Sequence, residues 1–218
     1  MLSFLARRVP RTPISHLESM TLDGGRSTAE FRPPTDRYLV LNRLPRAASD
    51  REAAQLGLPH AGATSSLAPP LHRHLWQDEI FHVIKGTARF TLGTSRSPST
   101  TERLASAGEV VVIPRRAAHT FCNASEDEEL VLEFVLDPAS RDADEAYFPG
   151  VKPSVFQALL FMHRGGVARA LPGPDGISIV LGMLLNYVGG AFIGKWLLGY
   201  SASYHEYYRP RSPSKVDG

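Results

Sequence analysis

The 218-residue chain is predicted to be mainly β, a sandwich or barrel, with a C-terminal helical extension. Three observations predict this class. Seven apolar runs of strand length, most of them rich in Val, Ile, Phe or Thr, crowd into about 100 residues. Turn signals separate the runs. After Pro138 the short runs stop and two longer apolar stretches follow.

Taken in order, residues 1–36 are expected to be a flexible N-terminal segment, with 23–36 (DGGRSTAEFRPPTD) a loop by Gly and Pro density. The β-domain is placed at 37–137. Its strands are expected at Tyr38–Leu41, Thr64–Ala68, Ile80–Ile84, Ala88–Leu92, Val110–Ile113, Thr120–Asn123 and Leu130–Leu136. Between them lie Lys85-Gly86-Thr87, a polar insertion at 94–103, Ala107-Gly108-Glu109, Pro114 to Ala118, and the acidic run 125–129, read as a solvated hairpin tip. Residues 138–208 are expected to hold a polar linker (138–152) and a helical pair. The helices are SVFQALLFMHRGG and ISIVLGMLLNYVGGAFIGKWLLGY, parted by the breakers Pro172-Gly173-Pro174-Asp175-Gly176. A disordered tail is expected at 209–218.

Charge and cysteine content narrow the setting. With 24 Lys+Arg against 22 Asp+Glu, the net charge of +2 gives no bulk attraction to nucleic acid, and no nucleic-acid partner is expected. The single cysteine, Cys122, can form no internal disulfide, so a cytoplasmic setting is expected. Arg7, Arg8 and Arg11 with no acid before Leu17 match the composition of an organellar transit peptide, but Pro10 and Pro13 cut any amphipathic helix there. A basic, mobile terminus is the expectation, with organellar or membrane-associated placement as alternatives. Too few apolar residues precede the arginines for a secretory signal.

Chemistry concentrates in PPLHRHLWQDEIFHVIKG, residues 69–86. His72 and His74 are separated by one residue, so on an extended backbone both imidazoles leave the same face. Glu79 follows far enough on for the chain to turn and return a carboxylate to the same point. His119 ends GEVVVIPRRAAH, after a strand and a proline turn. Three imidazoles and a carboxylate suit a first-row transition metal and leave coordination positions open. His82 leaves the opposite face of its strand from Glu79 and is assigned to packing or an interface. His60, His163 and His205 have no partner at a diagnostic spacing and are given structural roles.

These residues resemble the two motifs of the cupin superfamily. The first runs from a glycine through His-x-His and Glu to a second glycine. His72, His74, Glu79 and Gly86 match it, while Ser66 stands at the leading glycine. The second is matched by Gly108, Pro114, His119 and Asn123, with Arg116 at its middle glycine. The resemblance covers about residues 37–137 and implies a jelly-roll β-barrel holding one divalent transition metal through His72, His74, Glu79 and His119, which are also its catalytic positions. Fe(II) leads among the metals it implies, with Mn, Ni, Zn or Cu as others. The C-terminal helices look like those of some single-domain bacterial and fungal cupins, among them cupin-domain oxidoreductases of fungal polyketide pathways.

Strand alternation then names a pocket. Phe81 and Val83 share the face of Glu79, Phe121 and Asn123 that of His119, Phe90 and Phe134 are further candidates, and Trp76 falls at the rim. Such a lining favours an apolar or aromatic small-molecule substrate. Arg116 sits near the mouth as a solvated cation or an anion contact. Cys122 points to the other face as a small buried hydrophobe. Three functions stay open: an oxidoreductase using dioxygen on a polyketide-like substrate, a non-redox isomerase, lyase or decarboxylase, and a non-catalytic binding module.

Two further contacts are expected. Outward-facing Ile80, His82 and Ile84 form a stripe that a homodimer would cover. Residues 177–200 include 18 without a formal charge, Gly190-x-x-x-Gly194, Lys195 and Trp196. Docking that buries Leu159, Leu160, Leu181, Leu184 and Leu185, or peripheral membrane contact, is expected ahead of spanning.

Overall fold

The computed structural model describes residues 2–7, 17–56, 65–93, 101–139, 153–202 and 204. Two antiparallel sheets face each other in a jelly-roll-like barrel. One sheet has the order β1-β2-β3-β10-β5-β8 and the other β11-β4-β9-β6-β7. The strands of the first are β1 (Ser19–Leu22), β2 (Ser27–Phe31), β3 (Val40–Leu44), β10 (Leu130–Asp137), β5 (Asp78–Lys85) and β8 (Val110–Ile113). Those of the second are β11 (Val167–Arg169), β4 (His72–His74), β9 (His119–Asn123), β6 (Thr87–Leu92) and β7 (Thr101–Ser106). Helix α1 (Asp50–Leu56) lies between β3 and β4 in the chain. The C-terminal extension holds α2 (Val155–Arg164) and α3 (Asp175–Leu185), and α3 runs on without a break into a π-helical segment, Asn186–Leu197.

The core forms where the inward residues of both sheets meet. Phe81 lies 5.1 Å from Phe90, 5.2 Å from Phe121 and 5.4 Å from Phe134 between ring centres, and Leu44, Leu130 and Leu132 close round them. Period-two burial along β5 and β9 places every second side chain in this layer. Gly86 turns β5 into β6 with φ +80°, and a Cβ there would sit 2.5 Å from the Glu129 carbonyl oxygen.

Several expectations need correction. The loop expected over 23–36 contains β2, and within the segment expected to be flexible β1 pairs with β2, which in turn pairs with β3. Within Thr64–Ala68 the described residues, 65–68, form a turn and no strand. Strand β7 begins inside the polar insertion expected at 94–103, and β11 arises from the segment expected to join two helices. All four are polar or short, and pairing with a neighbour defines them more than apolar periodicity does. Helix α3 docks with Leu181, Leu184 and Leu185 exposed, although Leu159 and Leu160 of α2 are buried as expected. His82 leaves the face opposite Glu79 but is no bare stripe residue: its ring stacks on Tyr38 at 5.7 Å and its Nδ1 lies 2.8 Å from Glu133. Cys122 is half-buried on the outer face of its sheet, and burial raises its thiol pKa. His60, His205, and the expected linker and tail beyond residue 139 and from 205 onward lie outside the described residues.

Candidate metal centre

The two sheets contribute unequally to one buried cluster. His72 and His74 come from β4, and His119 begins the neighbouring β9, where the register pairs it with His72. Glu79 reaches across from β5 in the opposite sheet. All four are buried, and one ligand atom from each lies within 4.8 Å of the others. The imidazole centres of His72 and His74 are 5.2 Å apart, and those of His72 and His119 are 4.4 Å apart. Alternation along β4 thus delivers the two imidazoles to one side, as the spacing implies.

Hydrogen bonds outside the cluster orient the rings. Nδ1–H of His72 donates to the Pro70 carbonyl at 3.0 Å, and Nδ1–H of His119 to the Ala117 carbonyl at 3.1 Å. In this tautomer His72 Nε2 carries its lone pair toward the cluster, while His119 Nε2 faces the Glu79 carboxylate. Glu79 Oε2 lies 2.7 Å from His119 Nε2 and 3.4 Å from His74 Nε2. Burial alone would raise the Glu79 pKa, but hydrogen bonds from His119 and His74 and their nearby charge hold it well below the carboxylate range. Burial, with His119 close by, pushes the His72 pKa down to about 3, only partly opposed by Glu79. At neutral pH His72 is therefore the neutral imidazole that can coordinate. A buried set of three imidazoles and one ionised carboxylate fits a divalent transition metal in donor type, number and proximity.

The expected pocket residues divide into three groups. Phe81, Val83 and Phe90 have no accessible surface, and Phe121 and Phe134 are buried with them, so this set packs the barrel interior beneath the ligands. Asn123 donates through Nδ2 to the carbonyls of Pro45 (3.0 Å) and Glu128 (2.8 Å), which ties the β9–β10 turn to the segment that follows β3. Trp76 alone keeps an exposed position. It lies on the loop from β4 to β5, and with Leu75, His163, Met183 and Tyr187 it borders an apolar cavity of about 440 Å³ between that loop and the C-terminal helices. His163 thus belongs to this cavity, with Tyr187 at 6.1 Å between rings.

Arg116 resolves the departure at the second motif. Its φ is +68°, so arginine holds the left-handed conformation for which glycine is suited, at a cost of about 1 kcal/mol. Its N–H donates to the His74 carbonyl at 2.6 Å, and its guanidinium lies 5.9 Å from the Trp76 ring centre. The turn that leads from β8 into His119 is thereby pinned to the end of β4.

Arg73 was not legible as a site residue. Flanked by two ligands, its side chain leaves the other face of β4 and is 0% exposed, covered by α3. It donates to the Arg116 carbonyl and to Ser178 Oγ, each at 3.3 Å, and pairs with Asp175 at 3.5 Å. Alternation predicts the outward direction of Arg73. Only the docked helix makes that direction an interior one.

Facing sheets with three histidines and a glutamate between them define a cupin barrel with a candidate metal centre. The family model described as "Cupin_2: Cupin domain" matches residues 63–136. A relative from Hypocrea virens named "Probable oxidoreductase virH" is 30% identical over 163 residues, covering 68% of this chain and 71% of that protein. The chain belongs to the cupin family. Among solved structures, the Drosophila melanogaster CENP-C cupin domain aligns at TM-score 0.38 and 12% identity, over 54% of this chain and 68% of that one. The capsular polysaccharide assembling protein CapF of Staphylococcus aureus aligns at TM-score 0.40 and 20% identity, over 61% of this chain and 34% of that one.

Proposed function

We propose that this cupin is a metal-dependent oxidoreductase acting on a small apolar or aromatic substrate, with dioxygen as the electron acceptor. The observation that carries the reading is the buried cluster of His72, His74, Glu79 and His119, oriented from behind by the carbonyls of Pro70 and Ala117. The name of the Hypocrea virens relative, a probable oxidoreductase, supports the redox class. Bound there, a divalent metal, Fe(II) in the first place, would supply one-electron chemistry toward dioxygen.

The chain's own residues set the conditions. Glu79 stays ionised and places one negative charge at the cluster, which lowers the cost of bringing a dication into a dry site. The packed phenylalanines beneath the ligands keep water from approaching through the barrel. Substrate therefore approaches from the side of the rim, where Leu75 and Trp76 offer apolar surface and the cavity offers room for a ring system.

Two measurements test this proposal. His119→Ala removes the ligand that joins β9 to the cluster, and metal per chain, measured on protein purified without chelators, should fall by about tenfold or more while the far-ultraviolet circular dichroism is kept. Full metal content in that variant overturns the site. Oxygen uptake by the iron-loaded protein with a panel of phenolic compounds tests the reaction. Binding of phenols with no oxygen uptake, or purification with a redox-inactive metal alone, overturns the redox assignment.

A further inference from the structure

The C-terminal helix is turned the wrong way round for water. From Asp175 to Leu197 its small and polar residues face the protein. Ser178, Gly182, Asn186, Gly190 and Gly194 recur every fourth position, and all are buried. A step of four residues overshoots a full turn by about 40° in an α-helix. With i→i+5 bonding the helix winds less per residue, and the same step falls short of a turn. Passing from α to π geometry at Asn186 therefore reverses the drift and keeps the stripe against the protein. Ser178 Oγ accepts from the Leu171 N–H at 2.9 Å, and Asn186 Nδ2 donates to the Val167 carbonyl at 2.7 Å. At Gly190 a Cβ would lie 2.6 Å from the backbone of Leu159, so the two helices meet backbone to backbone.

The outer face is the reverse. Ile177, Leu184, Phe192 and Trp196 are 56%, 53%, 59% and 74% exposed. By length and composition the helix could cross a bilayer, yet only 28% of its most apolar stretch is buried. It is held along its length by the glycine stripe, so spanning would require it to be stripped from α2 and the barrel. Charge says what covers the face. Within 153–202 the one acid is Asp175, at the start of α3 and already paired with Arg73. The other end of the helix is basic and aromatic, with Lys195 and Trp196. The N-terminal segment is tied to that end by the Leu2 N–H bond to the Leu197 carbonyl (2.7 Å) and the Tyr200 hydroxyl bond to the Arg7 carbonyl (3.1 Å), which adds Arg7 and the exposed Phe4. A second copy of the chain would offer these cations no unpaired acid from its own helical extension.

We infer that this face lies in the surface of a bilayer containing acidic phospholipid, with the helix parallel to the membrane plane. The apolar side chains enter the acyl boundary, while Lys195 and Arg7 meet the lipid phosphates and carboxylates. The barrel and its metal centre then sit on the membrane surface, where an apolar substrate would be concentrated.

Flotation of the full chain with phosphatidylcholine vesicles containing about one-third phosphatidylserine tests this directly. Binding is expected, weaker by about tenfold or more on phosphatidylcholine alone. Leu184→Glu and Phe192→Glu, both on the exposed face, should each weaken binding by about tenfold or more with the circular dichroism unchanged. Tryptophan emission should shift to the blue on vesicles, and Trp196→Phe should lose the shift while still floating. Failure to float, or flotation unaffected by both glutamate variants, overturns the inference. Resistance to carbonate extraction overturns it in favour of a spanning helix. Absence of vesicle binding together with an oligomer that both glutamate variants dissociate overturns it in favour of a second copy.

Discussion

Replacing Arg73 by methionine separates two kinds of interaction that meet at one buried group. Methionine keeps most of the aliphatic stem and removes the guanidinium. Two charged-donor hydrogen bonds are lost, to the Arg116 carbonyl and to Ser178 Oγ. Both are long at 3.3 Å, so each contributes about 1 kcal/mol, below the usual range for a charged donor. The ion pair adds little, because Asp175 is 59% exposed and screened, and it is taken as no more than about 0.5 kcal/mol. Against these stands Arg73 Nε, which among the described residues has no hydrogen-bond partner, and its removal returns about 1 kcal/mol. The expected net loss is about 1–2 kcal/mol, or roughly 2–8 °C in melting temperature for a chain of this size. Asp175→Asn should cost about 0.5 kcal/mol or less. Urea unfolding of both variants measures the difference, and hydrogen exchange locates it, with faster exchange expected at the start of α3 and in the Arg115–Ala117 turn. Because Arg116 also holds the His74 carbonyl, metal affinity should fall by about tenfold. Equal losses in the two variants would refute the reasoning, since the exposed pair would then outweigh the buried bonds. An Arg73→Met protein as stable as the wild type would refute it too.

Two further outcomes concern the fold. Gly86→Ala combines a left-handed backbone with a Cβ that meets the Glu129 carbonyl, and should destabilise by about 2–4 kcal/mol. Gly108→Ala at φ +89° meets nothing within 4 Å and should cost about 1 kcal/mol, so thermal unfolding that ranks the two equally would remove the clash argument. Asp23 accepts from Ser27 Oγ and the Ser66 N–H, and although burial opposes this, these bonds lower its carboxyl pKa in the folded state. Asp23→Asn, which tolerates the same φ of +55°, should cost about 1 kcal/mol at neutral pH. In the wild type the unfolded chain binds this proton more readily, so the contribution is present above the ordinary carboxylate pKa and disappears as pH falls through the lower folded value. A variant difference that grows on acidification would contradict that sign.

What the sequence determined by itself is local. One intervening residue puts His72 and His74 on one side of a strand whatever the strand packs against, and the turn glycine Gly86 is required by its own backbone geometry. The same holds for Phe81, Phe90, Phe121 and Phe134, whose shared interior follows from period two within β-length runs, although whether that interior is open or filled does not. Strands β1, β2, β7 and β11, at or next to a sheet edge, were beyond the sequence because backbone pairing makes them, and their side chains carry too little apolar pattern to announce it. Tertiary structure also decided the fate of Arg73, which alternation sends outward and only the cover of α3 turns into a buried donor. It decided the orientation of the last helix as well. Apolar count alone predicts that leucines dock, but backbones approach most closely where side chains are smallest, so the glycine stripe takes the protein side and the leucines are left outside.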